Sequence, residues 1–209
     1  MERVLVAGAN GTTGKIVVEL LNKSQYFTPI AMVRKEEQLK QFKDKNIETV
    51  LADLQEDLAH TVKDIDKVVF TAGSGGKNVV EVDQEGAKRL IDVSKVADVK
   101  KFVMLSSMGA DEPESVEKLQ EYLKAKQKAD IHLKESGLNY AIVRPGSLNN
   151  EKPSGKIELK EKLNKRGEIS RADVAQTLVR ALHDDTANKE TFEILEGEVL
   201  IAEALEKVE

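Results

Sequence analysis

VLVAGANGTTGKIVVELL, residues 4–21, is the stretch from which the rest of the chain can be read. Val4 to Ala7 are apolar with no polar alternation, as in a strand covered on both faces. Residues 12–23 read as a helix. Between them lie Gly8, Gly11 and Gly14, spaced by three. Gly8 permits a tight turn, Gly11 removes a side chain that would block close approach, and Gly14 lets the helix pack against the strand. Such loops also occur where nothing binds, so the spacing alone decides little. Its position says more, because a strand-to-helix loop gathers amide N–H groups at the positive end of the helix dipole. Thr12 and Thr13 add hydroxyl donors. A pyrophosphate fits that field, so Gly8, Asn10, Gly11, Thr12, Thr13 and Gly14 are the candidate cradle of a dinucleotide.

Working outward, short apolar runs alternate with longer amphipathic stretches along the whole chain. Strands are expected near 2–7, 28–33, 47–51, 67–71, 101–105, 138–143 and 191–195. Helices are expected at 12–23, 36–43, 78–97, 115–136, 170–184 and 201–208. Ser170 followed by Asp173 is a start signal for the fifth helix. Repeated βαβ units make an α/β fold with a doubly wound parallel sheet, three layers deep, because parallel strands need right-handed crossovers. The one stretch outside this alternation is 146–169, polar and holding Pro153 and Gly155. No linker, repeat or low-complexity tract divides the chain.

Composition narrows the function classes. The 209 residues carry 40% hydrophobic and 33% charged side chains and a formal net charge of −5, with acids and bases interspersed. That argues against a nucleic-acid partner, which favours a basic patch. No cysteine is present, which removes disulfides, thiolate metal sites and cysteine nucleophiles. His60, His132 and His183 are scattered, so no metal site is expected. No stretch approaches the ~20 apolar residues of a membrane span, which makes the cytoplasm the default location and excludes a membrane partner.

The end of the second strand bears on which dinucleotide binds. An acid there accepts from the ribose 2′-hydroxyl of NAD, whereas an arginine accommodates the 2′-phosphate of NADP. Here Arg34 and Lys35 stand in that place, and a guanidinium matches a phosphate in charge and fork geometry. An ordinary solvated arginine is the alternative. Asp53 and Leu54 follow the third strand, and Ala72 and Gly73 the fourth, at the carboxyl edge where ligands collect. Asp53 could accept from the adenine amino group or cap its own loop.

GANGTTG, VR, AD, TAG, LSSMGAD, YLKAK and NYAIVRPG, taken in order across the chain, resemble the short-chain dehydrogenase/reductase superfamily. The likeness is to its atypical, NmrA-like and epimerase/dehydratase-like members. It implies one NAD(P)-binding Rossmann-fold domain over residues 1–209, with 146–169 as a small substrate-side segment. It also implies a Ser, a Tyr and a Lys that serve the chemistry. Ser107 matches the serine better than Ser106, and Tyr122 and Lys126 match YxxxK. Arg144-Pro145-Gly146 matches the segment that passes the nicotinamide, and the resemblance implies that Lys126 reaches the nicotinamide ribose.

The tyrosine can be read without the family. In 115–136 an apolar stripe runs through Val116, Leu119, Leu123, Ala129 and Leu133, and Lys126 lies on it. Tyr122 is its i−4 neighbour, and a cation beside a phenol favours the ionised form suited to proton transfer. The helix holds five lysines, so a chance YxxxK is the alternative. Two features depart from relatives with a full catalytic set. Asp83 stands where they carry a proton-relaying Asn, sharing an inward stripe with Val79, Ala87 and Leu90. It could pair with Lys126 or relay protons itself. The C-terminal region is also short, which suits a small substrate. Residues 72–78 border the site, and Lys77 there could meet an anion or simply be exposed.

Two functions follow as expectations. The first is an oxidoreductase passing hydride between NADP(H) and a small carbonyl or alcohol. The second is a non-catalytic NADP-binding sensor that signals to a protein partner. A homodimer is compatible with either.

Overall fold

In the computed structural model, which describes residues 1–208, the opening stretch forms β1 (Glu2–Ala7) and α1 (Thr12–Asn22) joined by the glycine loop. The chain continues through β2 (Phe27–Val33), α2 (Leu39–Lys43), β3 (Glu48–Leu51), β4 (Lys67–Phe70), α3 (Ala87–Val96), β5 (Lys101–Leu105), α4 (Gln120–Glu135) and β6 (Tyr140–Pro145). Then come β7 (Ser147–Asn149), β8 (Lys156–Lys160), β9 (Glu168–Ser170), α5 (Arg171–Arg180), β10 (Glu190–Glu196), β11 (Val199–Leu200) and α6 (Ile201–Leu205).

Nine strands form one sheet in the order β11-β8-β10-β6-β5-β4-β1-β2-β3. From β10 to β3 every pair is parallel, whereas β8 runs antiparallel to both β10 and β11. Because side chains alternate along a strand, β1 feeds two cores. Val4 and Val6 pack with Val17, Val18 and Leu21 of α1, Leu178 of α5 and Leu205 of α6. Leu5 and Ala7 pack on the other face with Leu90 and Ile91 of α3 and Ala129 and Leu133 of α4. This is the doubly wound Rossmann arrangement. Its winding reverses between β1 and β4, which opens a crevice beyond their carboxyl ends.

Several boundaries differ from the sequence reading. Segment 146–169 is not irregular. It contains β8, and its β7 pairs in parallel with β9, which ends at Ser170, as a separate two-stranded sheet. The expected helix 78–97 opens as wide, π-helical turns over Val79–Gly86 before α3 begins. The expected helix 115–136 starts only at Gln120, after short 3₁₀ turns at Pro113–Ser115 and Glu117–Leu119, so Val116 and Leu119 are not on the buried stripe. The expected helix 36–43 splits into a 3₁₀ turn at Glu36–Gln38 and α2. The last two expected helices stop at Arg180 and Leu205. Ser170 does cap α5, its Oγ accepting from the Asp173 N–H at 3.0 Å. No described helix is long and apolar enough to cross a membrane.

Candidate functional site

The three glycines of the first loop have different physical reasons. Gly8 sits at φ +84°, and a Cβ on it would come within 2.6 Å of the Ala72 backbone. A Cβ on Gly14 would stand 2.1 Å from the Gly8 carbonyl oxygen. Both are therefore demanded by the protein's own packing. Gly11 has φ −71°, and an added Cβ would meet only the Gly8 carbonyl, at 3.2 Å. It is exposed and lines the crevice, so its missing side chain leaves room for a ligand. Gly11 also serves as the N-cap of α1, with no side-chain cap and no acid in the first turn. The first N–H groups of α1 are thus left for an anion.

Two cavities meet at this loop, both lined by Gly8, Gly11, Ala72 and Gly73, and together they make one groove. The first, about 360 Å³, is lined further by Asn10, Arg34, Gln38, Asp53, Leu54 and Lys77. Among the described residues the Arg34 guanidinium has no acceptor, while its backbone N–H donates to Gln38 Oε1 at 3.1 Å. Gln38 thereby shapes the β2 exit and leaves the guanidinium to the groove. Lys35 does not line it; its ammonium lies 3.5 Å from Glu37. Asn10 Oδ1 accepts from Gln41 Nε2 at 2.6 Å, which fixes the loop to α2. Asp53 uses Oδ1 to cap the Gln55 N–H at 3.0 Å and keeps its other oxygen. Leu54 packs on the wide turns, where a Cβ on Gly86 would lie 2.7 Å from Leu54 Cβ.

The second cavity, about 650 Å³, brings Thr12, Thr13, Asp83, Ser106, Leu119, Tyr122, Lys126, Leu148 and Arg171 around the other half of the groove. Lys126 is buried. Its Nζ lies 3.6 Å from Asp83 Oδ1, 5.7 Å from the Tyr122 ring centre and 3.3 Å from the Leu105 carbonyl oxygen. Asp83 is wholly buried; Oδ2 accepts from the Ser74 N–H at 3.0 Å, while Oδ1 has no hydrogen-bond partner. The pairing of Asp83 with Lys126 is thus the arrangement found. Ser106 lines the cavity and Ser107 does not, since the Ser107 Oγ donates to the Met108 carbonyl at 3.2 Å. Pro145 ends β6 outside both cavities, its carbonyl accepting from the Met108 N–H at 3.0 Å. Gly14 likewise lies behind the groove rather than on it.

A buried charge cluster beside this cavity escapes the sequence reading. Asp130 Oδ2 accepts from Ser106 Oγ at 2.9 Å and from Arg144 Nε and Nη2 at 3.0 and 2.9 Å. Burial pushes the Asp130 carboxyl up, against the opposing pull of Arg144, Ser106 and Lys126. Ser106 has spent its one hydrogen on Asp130, so it faces the cavity as an acceptor. Two signals pointed here: Asp130 is four residues beyond the inward Lys126, and Arg144 interrupts a strand that is otherwise apolar.

The donor set fits a dinucleotide. An uncapped helix N-terminus sits mid-groove, an unpaired guanidinium at one end and a tyrosine–lysine pair at the other. Comparison with known proteins agrees. An uncharacterized sugar epimerase of Bacillus subtilis is 39% identical over 99% of this chain and all of its own length. A structure described as an NAD-dependent epimerase/dehydratase from Bacillus halodurans superposes with a TM-score of 0.93 at 37% identity, covering all of both chains. An oxidoreductase from Lactococcus lactis superposes with a TM-score of 0.88 at 29% identity, over 98% of this chain and 95% of its own. The model of the NAD(P)H-binding family matches residues 8–185, and the chain belongs to that family.

Proposed function

We propose that this protein is an NADP(H)-dependent oxidoreductase acting on a small carbonyl or alcohol. The observation that carries the reading is that Tyr122 and Lys126, one helical turn apart, line the same cavity as the glycine loop. When bound, the cofactor would supply or take up hydride at its nicotinamide. The first N–H groups of α1, with Thr12 and Thr13, would hold the pyrophosphate. Arg34 would take the 2′-phosphate, with Asp53 and Leu54 against the adenine. Tyr122 would give or take the proton of the substrate oxygen, with the Lys126 ammonium 5.7 Å from its ring centre. Ser106 would accept from a donor on the ligand. A cavity of about 650 Å³, shared with the nicotinamide end, suits a small substrate.

The test is a screen of aldehydes, ketones and quinones by loss of NADPH absorbance, followed by Tyr122→Phe on the best substrate. That change keeps the ring and removes the phenolic hydroxyl, so turnover should fall by about 10² to 10⁴ while NADPH affinity holds. Parent-like turnover in the variant would sink the assignment. A second reading, a cofactor-binding sensor without catalysis, draws support from Asp83, whose carboxylate pairs with Lys126 at 3.6 Å and so occupies the ammonium. NADPH binding with no reduced compound in the screen is the outcome that favours it.

A further inference from the structure

We infer that Arg171 binds an oxyanion in the second cavity, a carboxylate or a phosphate held along its Nε–Nη2 edge. The inference deepens the oxidoreductase reading and rests on it for the location of the site.

Arg171 is the first residue of α5 and lines the same cavity as Gly73, Gly75 and Gly76. Its Nη1 donates to the Leu148 carbonyl at 3.2 Å and to Asn150 Oδ1 at 2.9 Å. An Nη group has two hydrogens, so Nη1 is saturated. The two hydrogens of Nη2 and the one on Nε remain, along the edge whose geometry meets two oxygens at once. The guanidinium is therefore positioned and half used, with its bidentate edge free.

Its charge is also uncompensated. Lys126 has Asp83, and Arg144 has Asp130, but among the described residues no carboxylate lies within ion-pair distance of Arg171. Asp173, two residues on, is spent on the backbone N–H groups of Ser154 and Gly155 and on the Ser170 hydroxyl. The charged side chains lining the cavity are Asp83, Lys126 and Arg171, which leaves one net positive charge. A cation at the start of a helix is opposed by the helix dipole, so the position gains nothing from its own helix. An arriving anion would be favoured by both.

Two sources share this chemistry: a carboxylate on the substrate, or the cofactor phosphate nearest the nicotinamide, since Thr12 and Thr13 line the same cavity. The probes are 4-carboxybenzaldehyde and its methyl ester, which differ by one charge, titrated calorimetrically into protein saturated with NADP⁺. NADPH affinity is measured in parallel. Charge-assisted pairing predicts that the parent binds the carboxylate about tenfold more tightly than the ester and that Arg171→Gln erases the difference. Arg171→Lys keeps the charge without the fork and should recover only part of it. A tenfold loss of NADPH affinity in Arg171→Gln, with no carboxylate preference in the parent, assigns the edge to the cofactor phosphate instead. The proposal is overturned if the parent shows no preference and both variants bind NADPH within twofold of it. Should Arg171→Gln fail to fold, the lysine variant is read against the same limits. A parent that binds no NADPH sinks the cofactor reading alone, and the carboxylate and ester are then compared on cofactor-free protein.

Discussion

At the residue scale, substitution of the glycines should separate folding from binding. Gly8→Ala places a side chain at positive φ, which costs about 1–2 kcal/mol before its collision with Ala72 is counted. Gly14→Ala drives a methyl into the Gly8 carbonyl, so both variants should lose melting temperature outright. Gly11→Ala fits its backbone conformation and meets one atom at 3.2 Å. It should melt near the parent and bind NADPH at least about tenfold more weakly, because the methyl would stand where the proposed cradle receives the pyrophosphate. Thermal denaturation and cofactor titration of the three variants check this, and normal cofactor affinity in Gly11→Ala would count against the cradle. The glycine loop, Arg34 and the Tyr122–Lys126 pair were legible because each depends on a short spacing within one or two elements. The contact of Asp130 with Arg144 and Ser106 was not, because it joins residues of three segments, although Arg144 and, behind Ser107, Ser106 each stand out separately in the sequence. A carboxylate in a lysine-rich helix reads as solvated until its partners are seen.

At the element scale, most of the parallel strands declared themselves through short apolar runs rich in Val and Ile, as strands covered by helices should. β7, β8, β9 and β11 did not, because short strands at an edge or in a small separate sheet carry polar residues and resemble loops. The connection between α5 and β10 shows another concealed device. Lys101, fully buried at the start of β5, donates to the His183 and Thr186 carbonyls and to Asn188 Oδ1, tying 183–188 to that strand. Burial, aided by the charge of Lys67, pushes its ammonium down to about 8. An unfolded lysine holds its proton to about 10.4, so between those values the unfolded chain binds more protons than the folded one. Stability from this group therefore rises with pH across that window and is least below it. Urea midpoints at pH 7.5 and 9.5 should show the parent gaining on Lys101→Met as pH rises. A constant difference between the two proteins would contradict the burial argument.

At the scale of the whole molecule, the order of strands does most to place chemistry. The reversal between β1 and β4 puts the glycine loop, the β2 exit and the β4 exit around one crevice. The next strands outward, β5 and β6, bring the residues after them to its far side together with α4 and α5. The glycine loop and the Tyr122–Lys126 pair thus face one continuous groove. The central claim is that this groove holds NADP(H), with Arg34 recognising the 2′-phosphate. Calorimetric titration of the purified protein with NADPH and with NADH tests it most directly. Charge-assisted pairing of about 1.5–3 kcal/mol predicts NADPH binding about tenfold to a hundredfold tighter, with the preference lost in Arg34→Ala. Equal affinities for the two cofactors, or a preference that survives Arg34→Ala, would contradict it.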